Sequence, residues 1–199
     1  MNIAAAILAG GKASRLGGLA KGNLIVHNHT TIIQHLLETI KAADISPTII
    51  IANDNEAYKN YGVKIVSDLW RDIGPLAGIA SALNYYAQHK TQLDGILILP
   101  CDLPNITINE ILQLVHAFYF HKKPIVFAAT DENEWHPLCA VISCNEINRV
   151  STILKIQQAI TNHKYKIRQV WQEIGAEVVM FPHNKNFRNI NTHADIKTA

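Results

Sequence analysis

Six short apolar runs of four to six residues recur along the chain, separated by segments whose apolar residues fall at helical spacing. The runs are Ile3–Leu8, Thr48–Ala52, Val63–Val66, Gly95–Leu99, Pro124–Ala128 and Glu177–Phe181. Several are apolar without alternation, as strands covered on both faces must be, and strands alternating with helices build a mostly parallel sheet. The pattern predicts an α/β fold, a Rossmann-like three-layer α/β/α arrangement. Between the first two runs, Thr30 or Thr31 can cap a helix whose stripe is Ile32, Ile33, Leu36, Leu37 and Ile40. Later helices read as Leu76–His89, Thr107–His121, Glu146–Thr161 and Lys164–Gly175, with Pro47, Pro75, Pro104 and Pro182 near the boundaries. At 199 residues and 48% apolar content, a single domain spanning 1–199 buries an adequate core.

The first run breaks into Ala9-Gly10-Gly11 and continues through Lys12, Ser14, Arg15, Gly17, Gly18, Lys21 and Gly22. Glycines let backbone N–H groups approach an anion, and Arg15 and Lys21 supply the charge that several phosphate oxygens need. The segment therefore reads as a triphosphate-binding loop. Its spacing matches neither the P-loop nor the dinucleotide fingerprint.

In open parallel sheets ligands bind outside the carboxyl ends of the strands. There the chain places the glycine-rich loop, then Asn53-Asp54-Asn55, Ser67-Asp68 and Pro100-Cys101-Asp102. Asp102 ends a strand that reads as buried on both faces, and a carboxylate there is costly unless paired or holding a cation. Mg²⁺ suits a lone carboxylate, because it binds through one or two carboxylates plus substrate phosphates. Cys101 has no basic neighbour to activate it and reads as a small buried residue. Trp135-His136-Pro137 reads as a turn feeding an apolar strand, from which His136 can present its imidazole to the site. His27, His29, His35, His89 and His163 read as surface residues.

A net charge of +2 without Lys/Arg runs argues against a nucleic-acid partner. The apolar runs fall far short of the roughly 18 residues a membrane-spanning helix needs. Three cysteines without a C-x-x-C pair, and no signal-peptide pattern, point to a reducing cytoplasm.

Leu8-Ala9-Gly10-Gly11-x-x-x-Arg15-Leu16-Gly17, Lys21-Gly22, Gly74-Pro75-Leu76-Ala77-Gly78-Ile79 and Pro100-Cys101-Asp102-Leu103-Pro104 together resemble the molybdenum cofactor guanylyltransferases. His136-Pro137-Leu138 and Phe187-x-Asn189-Ile190-Asn191-Thr192 extend the resemblance nearly end to end. It implies a nucleotide-diphospho-sugar-transferase-like fold and transfer of GMP from GTP to the terminal phosphate of the molybdopterin cofactor, with release of pyrophosphate. It also implies that Leu8, Ala9, Gly10, Gly11, Lys21 and Asp68 contact GTP, and that Asp102 contacts both GTP and Mg²⁺. Partners would come from molybdenum cofactor biosynthesis and the molybdoenzymes. One departure concerns the base: the family often carries Asn at the end of the second strand, whereas this chain has Ile51 there and offers Asn53 two residues later.

A phosphate monoester is largely dianionic near neutral pH, its second pKa being about 6, so as a nucleophile it needs no general base. On this reading the Gly10 and Gly11 amides and Arg15 hold the triphosphate, Lys21 meets the α-phosphate, and Asp102 holds Mg²⁺. Asn189, Asn191 and His136 are candidates for the cofactor side. The competing readings are a molybdopterin cytidylyltransferase, a sugar-phosphate or cobinamide-phosphate nucleotidyltransferase, and a non-catalytic nucleotide-binding module.

Overall fold

A computed structural model describes residues 1–10, 20–26, 29–70, 73–89, 92–131, 134–182, 185–190 and 195. Among the expected site residues, Gly11, Arg15 and Asn191 lie outside the described residues, as does His27.

Seven strands form one sheet: β1 Ile3–Leu8, β2 Thr48–Ile51, β3 Lys64–Val66, β4 Gly95–Pro100, β5 Ile125–Ala129, β6 Trp135–Ser143 and β7 Glu177–Met180. Their order is β3-β2-β1-β4-β6-β5-β7, and every neighbouring pair is parallel except those made by β6. Among the described residues the α-helices are α1 Ile32–Ala42, α2 Pro75–Gln88, α3 Ile108–His121, α4 Glu146–Thr161 and α5 Ile167–Ile174.

Strand alternation divides the core in two. Ile3, Ala5 and Ile7 of β1 join Leu97 and Leu99 of β4 under α1 and α3, while Ala4, Ala6 and Leu8 join Ile96 and Ile98 under α2, α4 and α5. β1 and β4 are buried along their whole length, and each enclosed Ile or Leu contributes about 1.5–3 kcal/mol. The expected three layers are present.

The boundaries follow local chemistry. Thr31 caps α1 by accepting from the Gln34 N–H at 3.2 Å. Thr107 is the cap of α3 rather than its first residue, with Glu110 accepting from the Thr107 N–H at 2.9 Å. The last helix starts at Ile167, three residues later than expected. The chain turns first at His163, whose φ of 54° ends α4.

The Trp135-His136-Pro137 turn is not present: β6 begins at Trp135. Its pairing with β5 shifts between Phe127, which faces Ala140, and Ala128, which faces His136. Pro137 lies in the resulting bulge, where a missing N–H breaks no ladder bond, and its carbonyl accepts from the Trp171 indole at 2.9 Å.

Gly22 fixes the return of the first loop. A Cβ there would lie 2.4 Å from Cγ1 of the fully buried Ile33 and 3.1 Å from the Tyr58 ring. Gly22→Ala is expected to cost about 1–3 kcal/mol through overpacking, measured by urea unfolding. Combined with Ile33→Ala, it should cost less than the two changes added separately; simple additivity would contradict the proposed contact.

Candidate active site

The strand order reverses between β1 and β4, the chain passing from β1 to β2 at one side and from β4 toward β5 at the other. The ladder continues one residue past the strands: Ala9 N–H donates to Ile51 O (2.8 Å), Ala52 N–H to Val66 O (3.0 Å) and Cys101 N–H to Leu8 O (3.0 Å). Four strand ends are thereby locked in register. Because β6 runs antiparallel, its first residues reach the same rim.

Asp102 follows β4 with its side chain only 17% exposed. Lys21 Nζ, on the short 3₁₀ turn Lys21–Asn23, lies 3.4 Å from Asp102 Oδ2. Asp102 Oδ1 is buried and has no hydrogen-bond partner among the described residues. Burial holds the Asp102 carboxyl above its usual range, against the opposing pull of Lys21. A desolvated carboxylate with one spare oxygen beside a cation is suited to a hard cation carrying phosphates.

A second carboxylate stands across the rim. Asp68 Oδ2 accepts from Asn53 Nδ2 at 3.3 Å, and the Asp68 N–H donates to Asn53 Oδ1 at 3.1 Å. Asp68 Oδ1 is buried with no partner among the described residues, and burial raises this carboxyl as well, opposed by Asn53. Gly10 and Gly78 leave room beside it: a Cβ on Gly10 would sit 3.4 Å from Asp68 Oδ2, and one on Gly78 3.3 Å from Oδ1 and 3.2 Å from Leu8. Ser81 fixes the adjoining turn by accepting from the Leu69 N–H at 2.9 Å while donating to Ala77 O.

Leu8, Ala9, Gly10, Asn53, Asp68, Lys21 and Asp102 thus share one rim. Asp54 does not join them, since its carboxylate accepts from the Ala57 N–H at 3.2 Å. Asn189 is exposed beside Ile190, whose N–H donates to Asp102 O at 3.0 Å. His136 stacks on Phe187 with centroids 4.8 Å apart, and its Nε2 lies 3.0 Å from Thr130 Oγ1. Burial lowers the His136 pKa, against Glu134. Cys101 is buried, its thiol pushed up to about 12 mainly by burial.

Sequence reasoning missed three ties. His35 is not a free surface residue: it is half-buried, with Nε2 2.8 Å from Ile106 O. Ser81 gave only the weak signal of a hydroxyl in an apolar helix. The Ile190 amide carried no signal.

The fold, with a lysine beside one of two strand-end carboxylates on its rim, agrees with the class the family model gives, a nucleotidyltransferase. The model for the MobA-like NTP transferase domain matches residues 5–178, and the chain belongs to that family. It is 33% identical over 200 residues to the molybdenum cofactor guanylyltransferase of Haemophilus influenzae (strain Rd), covering 99% of this chain and 97% of that one. Among solved structures, molybdopterin-guanine dinucleotide biosynthesis protein A from Archaeoglobus fulgidus superposes with TM-score 0.75 at 19% identity, over 98% of this chain and 95% of that one. A CMP:2-keto-3-deoxy-manno-octonic acid synthetase complexed with CTP gives 0.72 at 12%, over 100% and 96%. At these identities both share the fold.

The raised Asp102 carboxyl has a consequence for stability. The folded state holds that proton more tightly than the unfolded chain does. The contribution is therefore full below the ordinary carboxylate value and lost as pH rises through the raised one. Asp102→Asn should melt above the parent protein at neutral pH, the gap closing as the pH falls below the ordinary carboxylate range. Thermal melts across pH check this, and a lower Tm for the variant at neutral pH would contradict it.

Proposed function

We propose that this chain transfers GMP from GTP to the terminal phosphate of the molybdopterin form of the molybdenum cofactor, forming the guanine dinucleotide cofactor. The observation that carries the reading is the Lys21–Asp102 pair, 3.4 Å apart at the point where the strand order reverses. It stands in a chain similar over nearly its whole length to proteins named molybdenum cofactor guanylyltransferase.

An oxygen of the cofactor's phosphate attacks the α-phosphorus of GTP, the bond to the β-phosphate oxygen breaks, and its electron pair leaves with pyrophosphate. The nucleophile is already largely dianionic, so no proton has to be removed. The neighbouring groups agree: Cys101 holds its proton to about 12, and His136 is engaged with Thr130. Catalysis then rests on positioning and charge stabilisation. Lys21 acts on the α-phosphate, the Gly10 amide on the triphosphate, and Asp68, steadied by Asn53, accepts from the nucleoside. Arg15 and Gly11 retain their sequence-derived roles on the triphosphate. Asp102 would hold Mg²⁺, which when bound neutralises charge on the phosphates and the leaving pyrophosphate; the partnerless Oδ1 supports that fit.

Asn189 serves the cofactor side, its segment tied to Asp102 through Ile190, and Asn191 and His136 are assigned the same role. Molybdenum cofactor biosynthesis proteins and molybdoenzymes are the partners that supply the substrate and take the product. No helix among the described residues is long and apolar enough to cross a membrane, and the reaction belongs in the cytoplasm.

A cytidylyltransferase is the second reading, favoured by Ile51, which is 1% exposed and brings no amide to the end of β2. Guanine offers N1–H and N2–H₂ donors that Asp68 and backbone carbonyls can accept, and a base lacking them leaves buried acceptors unpaired. Titration with GTP, CTP, ATP and UTP in the presence of Mg²⁺ should show GTP binding tighter than CTP by about 10²-fold or more. CTP binding as tightly as GTP would overturn the assignment.

A further inference from the structure

Helix α2 is buried without a break from Leu76 to Leu83, and Ser81, 1% exposed, is the one polar side chain in that run. Helix formation gives no reason for it, since Ala is the better helix former, and a buried hydroxyl is costly unless it is bonded. Both of its bonds are made. Oγ donates to Ala77 O, four residues back, at 2.8 Å. Its lone pairs then serve a group outside the helix, accepting from the Leu69 N–H at 2.9 Å.

Leu69 follows Asp68 directly, so this bond holds the peptide group on the C-terminal side of the Asp68 Cα. The peptide on the N-terminal side is held as well, the Asp68 N–H donating to Asn53 Oδ1 at 3.1 Å. Peptide units are planar, which leaves a residue only φ and ψ to rotate about. Anchoring both flanking peptides therefore fixes the direction in which Asp68 carries its side chain. Strand pairing supplies neither anchor, because β3 ends at Val66. Gly78 lies one turn before Ser81 on the same face of α2, and a Cβ there would stand 3.3 Å from Asp68 Oδ1. One helix face thus anchors the backbone of Asp68 and leaves space for its carboxylate.

We propose that Ser81 is a positioning residue for base selectivity, aiming the Asp68 carboxylate at the base of the nucleotide through the Leu69 amide. The role rests on the reading of Asp68 as an acceptor from the nucleoside. A hydrogen bond weakens steeply as its angle and distance depart from the optimum, so an acceptor discriminates between bases only while its direction is held. Without the Ser81 hydroxyl the Leu69 N–H loses its acceptor and the peptide after Asp68 is free to turn. A base that donates to Asp68 then loses its bond, whereas the contacts assigned to Lys21 and the Gly10 amide on the triphosphate stay in place. The loss therefore falls on the choice of base and spares the affinity common to all nucleoside triphosphates.

Calorimetric titration of the full chain with GTP and with CTP, each in the presence of Mg²⁺, tests the proposal on Ser81→Ala, Asp68→Asn and the double variant, with circular dichroism showing each folded. Ser81→Ala should bind GTP about tenfold more weakly and leave CTP affinity little changed. Ser81→Cys, whose thiol is a weaker acceptor, should fall between parent and Ser81→Ala. In the Asp68→Asn background Ser81→Ala should weaken GTP no further, because the two changes act through one group. Equal weakening of GTP and CTP by Ser81→Ala, or a loss that adds in full to that of Asp68→Asn, would overturn the proposal and leave Asp68 its role. An Asp68→Asn variant that binds both nucleotides as the parent does would overturn the reading of Asp68 itself, and the proposal with it. A parent that prefers CTP would contradict the GTP assignment alone, and the same cycle read with CTP would then decide whether Ser81 acts through Asp68.

Discussion

Asp102 is a carboxylate at the end of a strand enclosed on both faces, and the surrounding structure is arranged around its charge. β4 is buried throughout, so the first residues after it emerge into a poorly solvated rim. The adjacent positive group is Lys21, 3.4 Å away. Lys21 reaches that place because Gly22 fits against Ile33 and Tyr58 with no room for a side chain. The β1–β4 register, extended by the Cys101–Leu8 hydrogen bond, brings the two chain segments to the same rim.

Burial outweighs Lys21, so in the free protein the ionised Asp102 carboxylate is destabilising, and Asp68 repeats the arrangement with Asn53 as its side-chain partner. Each keeps one buried oxygen without a partner among the described residues. Two such groups on one rim are what a site completed by a ligand would leave open, and carboxylates perturbed by burial in such a place are candidates for function. The C-terminal segment joins the same centre. Ile190 N–H holds the Asp102 carbonyl, and Asn186 Nδ2 donates to Glu110 at the start of α3 at 2.9 Å.

Much of this was legible in the residues. Runs such as Ile3–Leu8 and Gly95–Leu99 carry their strand identity in uninterrupted apolar character, and the rule that ligands lie at strand carboxyl ends led from them to Gly10, Asp68 and Asp102. β6 was harder to place. Pro137 after Trp135-His136 signals a turn, and only the bulge against β5 shows how a strand accommodates it. The Asn53–Asp68 clamp joins residues 15 apart in sequence through a parallel pair of strands, and His35 finds its acceptor 71 residues away. No local pattern encodes such contacts.

The central claim is that Lys21 stabilises charge developing at the α-phosphate, in a site that works by placing charges and has no general base. Steady-state kinetics of Lys21→Ala, paired with a direct GTP-binding assay, test it most directly. The account predicts that kcat falls by about 10²-fold or more, the scale of removing one preorganised charge-stabilising group, with a smaller change in GTP affinity. A variant that loses affinity but keeps its turnover would make Lys21 a docking residue and contradict the account.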